Sequence, residues 1–404
     1  MSDSATPRVN LPLTVAAMLA TQMTTVLLFI TIPVMATEVA PVFGAPAKDI
    51  AVFVSVSFVS SMFFSAASGS LINRFGGIRA NQIGMTVSAL CLLLTLSGSL
   101  PLLYLAAILV GMGYGPNTPS GSHVLARVTP ARSRALVFSL KQSGAPLGGL
   151  IAGLLVPTMV HTVGWRGAIL VSAGIALCAV VAIQPLRGEL DNDRDPAARL
   201  SFSSPWKAVA SVMGDPDLRR LLLVAFSLTA AQATVMTFLV IYLIEVLEFE
   251  FILAGALFSA AQAAGAAFRV GMGWLADRMF GARVAMVVLG LASALGLALF
   301  TTLSTNSPLF LIAAVVIGLG AVSFGWNGVF LAEVAARPGT AGVGAATGGS
   351  LFFIYGGLVL GPLAASGLVS LTGSYTVPFL GVASLAGLTS LNLLRSLRGP
   401  PARL

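Results

Sequence analysis

The sequence predicts an all-α membrane protein, with twelve transmembrane helices in two pseudo-symmetric six-helix halves. Three observations carry the prediction. The 404-residue chain is 57% hydrophobic and only 9% charged, with mean hydropathy +0.95, whereas soluble domains carry about 25% charged residues. The apolar residues gather into twelve runs, each close to the ~20 residues that cross a bilayer core. One polar turn occurs twice, half the chain apart: Gly69 to Arg79 reads GSLINRFGGIR and Gly273 to Arg283 reads GWLADRMFGAR. The two share glycine, leucine, arginine, glycine and arginine at matching places, as two copies of one unit would.

The runs cover residues 13–35, 50–72, 81–100, 101–126, 135–160, 167–186, 219–244, 252–276, 282–303, 308–334, 342–370 and 375–396. Helices alone satisfy their own backbone polar groups in lipid at these lengths, so all twelve are read as helices. Gly98 to Pro101 makes a tight turn between the third and fourth. The longest predicted outer loop, Ala36 to Asp49, carries Glu38, Pro41 and Pro46. Between runs six and seven lies a polar interval with ELDNDRDP and the prolines Pro196, Pro205 and Pro216. It reads as a linker, 187–218, between halves 1–186 and 219–404, with a surface helix around Trp206 and Lys207, and is too short for a soluble domain.

Basic residues set the orientation. With the N-terminus inside, all but four of the 22 lysines and arginines fall on the cytoplasmic side. Lys48 and Arg166 fall outside; Lys141 and Arg269 are left within the membrane. The expected location is the cell inner (plasma) membrane, with both termini cytoplasmic. The first run is too long for a signal-peptide core and is read as a retained span. The net charge of +8 reflects inner loops rather than affinity for nucleic acid. Cys91 and Cys178 lie in apolar runs and read as packing residues. With only two histidines and no metal-spaced cluster, no metal, cofactor or enzymatic activity is expected. A twofold repeat also argues against a ring-symmetric channel.

The duplicated turn, the two six-helix halves and the central linker resemble the major facilitator superfamily, whose loop signature is close to G-x-L-a-D-R-x-G-r-[RK]. The resemblance spans the chain. It implies a secondary transporter, a small-molecule substrate, a monomer, and a latch formed by Asn73, Arg74, Arg79, Asp277, Arg278 and Arg283. The second copy keeps the family aspartate as Asp277; the first has Asn73 in its place, so its latch is expected to rely on hydrogen bonding. The fifth run, with Gly144, Gly148, Gly149 and Gly153, loosely resembles the glycine-rich helix of the family's exporters and offers small residues for close packing. Gly357, Gly361 and Pro362 repeat the pattern in the eleventh.

Such transporters bind substrate near the midplane. Polar candidates there are Gln22, Thr24 and Thr25; Tyr114, Asn117 and Thr118; Gln232, Thr234 and Thr237; Trp326 and Asn327; and Tyr355. Arg269 lies eight residues before Asp277, ~12 Å along a helix. Lys141 lies at a similar remove from Arg134. A membrane-embedded cation costs at least ~2.5–3.5 kcal/mol and so marks a function or a partner. An arginine at that place resembles the eighth helix of the family's monocarboxylate, oxalate and nitrate carriers, where it holds an anion; Lys141 is not part of that pattern. The competing reading has Lys141 snorkelling to the edge and Arg269 paired with a backbone carbonyl or Glu333. The sequence places no Asp or Glu mid-membrane, which favours an anionic substrate over a cationic drug and leaves a coupling proton without an obvious carrier beyond His123. The expected function is transport of a small organic carboxylate, possible proton symport included; the alternative is an efflux pump for neutral or amphipathic compounds.

Topology is directly testable. In a background lacking Cys91 and Cys178, a cysteine at Asn192 labels only from the cytoplasm and one at Ala45 only from outside; labelling of both from one side overturns the two-half arrangement.

Overall fold

A computed structural model describes residues 10–45, 47–200, 205–337 and 342–398. Arg8 and Arg403, counted above among inner basic residues, lie outside these. The described chain is nearly all helical. Its helices are α1 (Leu11–Val34), α2 (Ala36–Phe43), α3 (Ala47–Phe75), α4 (Gly77–Leu92), α5 (Leu100–Tyr114), α6 (Asn117–Val128), α7 (Arg134–Gln142), α8 (Gly144–Ala182), α9 (Arg187–Leu190), α10 (Pro205–Gly214), α11 (Pro216–Glu245), α12 (Phe251–Leu275), α13 (Gly281–Phe300), α14 (Leu309–Phe324), α15 (Asn327–Ala336), α16 (Gly342–Thr372) and α17 (Thr376–Arg398).

These helices resolve into twelve passes, each matching a predicted run. Among the described residues ten stretches are long and apolar enough to cross a membrane, but two are far longer than one crossing: Ala131–Leu190 has 60 residues and Ile252–Phe300 has 49. At 1.5 Å per residue the first would be ~90 Å long, against a core of ~30 Å. The backbone divides both. Gly164 interrupts α8 at φ 74°, ψ 169°, a conformation essentially reserved for glycine. Gly281, at φ 77°, separates α12 from α13. Two other passes are single crossings made of two helices, broken at Gly115-Pro116 and at Gly325-Trp326. The predicted outer loop 36–49 is largely the helix α2, closed by Gly44 in the left-handed region. Prolines at 41 and 46 make that stretch read as loop, and they mask a helix only eight residues long.

The helices form two compact units: Met1–Ala131 with Leu140–Ser211 and Val334–Phe352, and Arg132–Ser139 with Val212–Glu333 and Phe353–Leu404. In the first, α1 packs on α8, and α3 and α4 pack on α5. Small residues permit the closest approaches. A Cβ on Gly148 would meet the Met23 carbonyl at 2.6 Å, and one on Gly144 the Leu19 carbonyl at 2.9 Å. A Cβ added to Gly149 or Gly153 would have nothing within 4 Å, so of the four predicted packing glycines only the pair one turn apart on the α1 side does that work. Phe29 stacks on Phe58 and Tyr114 at the centre of this unit's core. The linker helix α10 is present as expected; Trp206 stays 62% exposed while packing edge-on to Phe63 and Phe352.

In the second unit α12 packs on α14 and α13 on α17. Its core holds a three-ring cluster of Tyr242, Phe300 and Phe379, with centroids 4.6–5.5 Å apart. The duplicated turns differ by one residue of register. Positive φ falls on Gly76 in the first copy. In the second it falls on Gly281, the counterpart of Gly77, because a π turn over Ala276–Phe280 takes up one extra residue.

The packing makes a paired prediction. Gly148→Ala forces α8 from α1 and destabilises by about 1–3 kcal/mol. Gly153→Ala only replaces a poor helix former by the best one and is neutral to stabilising. Thermal melting of the purified variants checks both.

Candidate functional site

Each broken pass places a polar group in the middle of a unit. In the first unit, Pro116 has no N–H for the helix it follows, and α6 restarts at Asn117 with its side chain turned inward. Asn117 Nδ2 donates to Thr25 Oγ1 at 3.1 Å, while its Oδ1 is buried without a partner among the described residues. Thr118 Oγ1 lies 3.5 Å from Gln22 Oε1, and Tyr114, the last residue of α5, hydrogen-bonds Gln22. Gln22 also receives Lys141.

Lys141 does not snorkel. It is 1% exposed, and its ammonium donates to Gln22 Oε1 at 2.6 Å, Gln142 Oε1 at 2.9 Å and Thr118 Oγ1 at 3.4 Å. Three neutral acceptors match the three N–H bonds of an ammonium, and among the described residues no carboxylate lies within 4 Å of it. Gly121 makes this burial possible, since a Cβ there would lie 2.9 Å from Lys141 Cε. Six predicted residues thus form two neighbouring hydrogen-bonded groups: Gln22, Tyr114, Thr118 and Lys141 in one, Thr25 and Asn117 in the other. Thr24 takes no part in these bonds.

In the second unit, α12 and α14 meet through small residues: a Cβ on Gly265 would touch Phe324 Cβ at 2.6 Å and the Gly320 carbonyl at 2.9 Å. One turn beyond Gly265 is Arg269, 5% exposed. Its Nε and Nη2 both donate to the Phe324 carbonyl, at 3.0 and 2.8 Å. Phe324 ends α14, and the carbonyls of a helix C-terminus have no partner along the chain and carry partial negative charge. The guanidinium therefore caps a half-helix in mid-pass, so the backbone partner weighed above is realised. Glu333, the other partner weighed, is bonded to Arg283 at 2.7 Å. Trp326, fully buried, donates Nε1 to Gln232 Oε1 at 3.1 Å and meets Phe330 edge-on. Asn327 begins α15 half-buried, and Tyr355 is buried in α16. Thr234 and Thr237 hydrogen-bond the carbonyls of Ala230 and Ala233 in their own helix, which is the bond a threonine makes when it serves packing.

The latch residues fall at helix ends. Asp277 accepts the N–H of Ala135 at 3.0 Å and of Leu136 at 2.8 Å, the first amides of α7. A carboxylate there satisfies two orphan donors and meets the positive end of the helix dipole. Gly273 allows the approach, since a Cβ would meet the Ala135 carbonyl at 2.8 Å. Arg283 bridges Glu333 and Asp217, and Arg278 lies over the Trp274 ring.

The first copy has no such aspartate, and the structure supplies a carboxylate from elsewhere. Asp191 of the linker accepts the N–H of Ile78 at 2.8 Å and of Arg79 at 3.0 Å, at the start of α4. Gly76 must be glycine, because any Cβ would overlap Asp191. Burial pushes the Asp191 carboxyl up from its ordinary range, against the pull of those two amides and of Arg187. The following residues lie as a strap on the first unit. Asp195 N–H donates to the Asn73 carbonyl at 2.8 Å, and Arg74 donates to the Ala198 carbonyl at 3.2 Å. Asp193 sits 2.7 Å from both His123 and Arg127. His123 is thus one member of a surface ion cluster. Sequence reasoning missed the strap, although the signal was there: four acidic residues in Glu189 to Asp195, directly after an apolar run.

Asp277→Asn removes the charge from the start of α7 and costs about 0.5–2 kcal/mol; amide exchange at Ala135 and Leu136 rises. Asn73→Ala, whose side chain makes none of these bonds, leaves that exchange unchanged. Equal effects from the two variants would contradict the assignment.

Residues 13–354 match the sequence profile of the Major Facilitator Superfamily, and the chain belongs to that family. The uncharacterised transporter YybO of Bacillus subtilis (strain 168) is 32% identical over 142 residues, 35% of this chain and 33% of that protein. "Probable anion transporter 6, chloroplastic" of Arabidopsis thaliana is 29% identical over 122 residues, 30% of this chain and 24% of that protein. The matched stretches therefore span about a third or less of these relatives. Among solved structures, the human organic anion transporter MFSD10 (TETRAN) shares the fold, with TM-score 0.74 at 15% identity over 96% of this chain and all of that one.

Proposed function

We propose that this major facilitator superfamily transporter is a secondary active carrier that moves a small organic anion, a carboxylate, across the membrane by alternating access. The observation that carries the reading is Arg269, a buried cation whose guanidinium grips a backbone carbonyl at a break in a membrane pass. The sequence offers no carboxylate at that depth. A guanidinium presents its donors in a fixed fork that matches a carboxylate, so an incoming anion joins or replaces the Phe324 carbonyl as its acceptor. Discontinuous helices with exposed backbone ends are where transporters of this kind hold ions and substrates. Gln232, Trp326, Asn327 and Tyr355 are the further contacts proposed in the same unit. Lys141 with Gln22, Tyr114 and Asn117 is proposed as the contact group of the other. The relatives named as anion transporters support the substrate class.

The accompanying organisation is proposed with it: six-helix halves at 1–186 and 219–404, both termini cytoplasmic in the cell inner membrane, and a monomer. The latch at Asp277 then governs the rate of interconversion rather than affinity.

The decisive measurement is thermal stabilisation of the purified protein by acetate, lactate, oxalate and succinate. Arg269→Ala abolishes stabilisation, a loss of about 2–5 kcal/mol for truncating one side of a buried charged contact. Arg269→Lys keeps the charge and loses much of the affinity, because the fork is gone. Lys141→Ala lowers affinity for the same anions. If no anion stabilises the wild type, or Arg269→Ala responds as the wild type does, efflux of neutral or amphipathic compounds takes the place of anion transport.

A further inference from the structure

Where the sixth pass ends, the first unit holds a polar groove of about 410 Å³ lined by Gln184, Arg187, Gly188, Asp191, Asn192 and Arg194. One wall is the end of the pass and the helix α9; the other is the strap. By sequence this region is more acidic than basic, yet its carboxylates are turned to partners other than the groove. Both Asp191 oxygens face the amides of Ile78 and Arg79, and its side chain is 1% exposed. Asp193 is held by His123 and Arg127. Asp195 accepts the N–H of Ala197, and Glu189 does not line the groove. Arg187 makes a long ion pair with Asp191, at 3.7 Å, and its buried Nε has no hydrogen-bond partner among the described residues. Arg194 is exposed. Gln184 Oε1 accepts from Gln82 and Asn192 Oδ1 from Arg127, so the groove presents two guanidinium groups and the amide N–H groups of Gln184 and Asn192.

What leads to the groove is apolar. On α8, Leu177 is 37% exposed and Val181 is 71% exposed. They are one turn apart near the end of α8, and Gln184 opens the tight turn that follows it. An apolar, outward-facing stripe that runs into a basic polar groove at the end of a membrane pass has the two-part chemistry of a phospholipid. Acyl chains lie along the stripe, and an anionic headgroup lies against the arginines. Basic pockets at the ends of transmembrane helices recognise headgroups in this way.

We propose that this groove binds the phosphodiester headgroup of an anionic phospholipid, with Arg187 and Arg194 as its cationic contacts and Leu177 and Val181 beneath its acyl chains. The shared chemistry is a phosphate anion, and a free phosphate is the competing source. The proposal is independent of the substrate reading.

The test uses the full chain in nanodiscs of phosphatidylcholine containing phosphatidylglycerol, with retained phosphatidylglycerol counted by native mass spectrometry. Each arginine near a membrane surface contributes about a fivefold factor. Arg194→Gln, at an exposed position that does not threaten folding, lowers retention about fivefold, and Arg187→Gln with Arg194→Gln about 25-fold. Arg219→Gln, an exposed arginine outside the groove, leaves it unchanged. Undiminished retention in Arg194→Gln, or an equal loss in Arg219→Gln, overturns the site. If inorganic phosphate in detergent raises the melting temperature of the wild type and not of Arg194→Gln, while phosphatidylglycerol retention is the same in both, the lipid assignment is overturned in favour of free phosphate.

Discussion

A helix end inside or beside a membrane leaves backbone groups that no water is at hand to satisfy, and this constraint organises the molecule. Asp277 closes the start of α7, Asp191 closes the start of α4, and Arg269 closes the end of α14. In every case a full charge meets a helix end of opposite partial charge. Asp277 and Asp191 do so where passes begin, and Arg269 does so inside a pass, at the break that brings Trp326 into the interior.

The two repeats meet the same need by different means. The second unit builds its inner ion network from its own passes, with Asp217, Arg283 and Glu333 on three helices. In the first unit the basic partners are on the passes, Arg127 and His123 among them, while the acidic ones come from the linker. The first turn carries Asn73 where the second carries Asp277, and the carboxylate that closes the helix start there comes from the linker.

Much of this was readable beforehand. Helix count and the duplicated turn follow from hydropathy and from glycine and arginine at fixed spacing, since lipid permits so few solutions. The buried cations were visible because a lysine or arginine in an apolar run is costly wherever it points. Their partners were not. Phe324 offers only a backbone carbonyl, which every residue has, and nothing in its side chain marks it as the end of a half-helix. Asp191 looked like one acid among several in a solvated linker, because the reason for its burial lies more than a hundred residues earlier, at Gly76. The π turn at Ala276–Phe280 was equally silent: one extra residue leaves no mark on composition.

Gly164 carries a mechanical consequence. The fifth and sixth passes are joined by this single residue, with helix on both sides. Where several residues separate two passes, as at Thr301–Pro308, the loop absorbs a tilt or a rotation. Here there is no slack to absorb one. One pair of dihedral angles sets the angle between the two passes, so a tilt of one either moves the other or is taken up at this one residue. The sixth pass then reaches Arg187 and the strap across the short turn Gln184–Leu186, so few residues lie between the end of the sixth pass and Asp191.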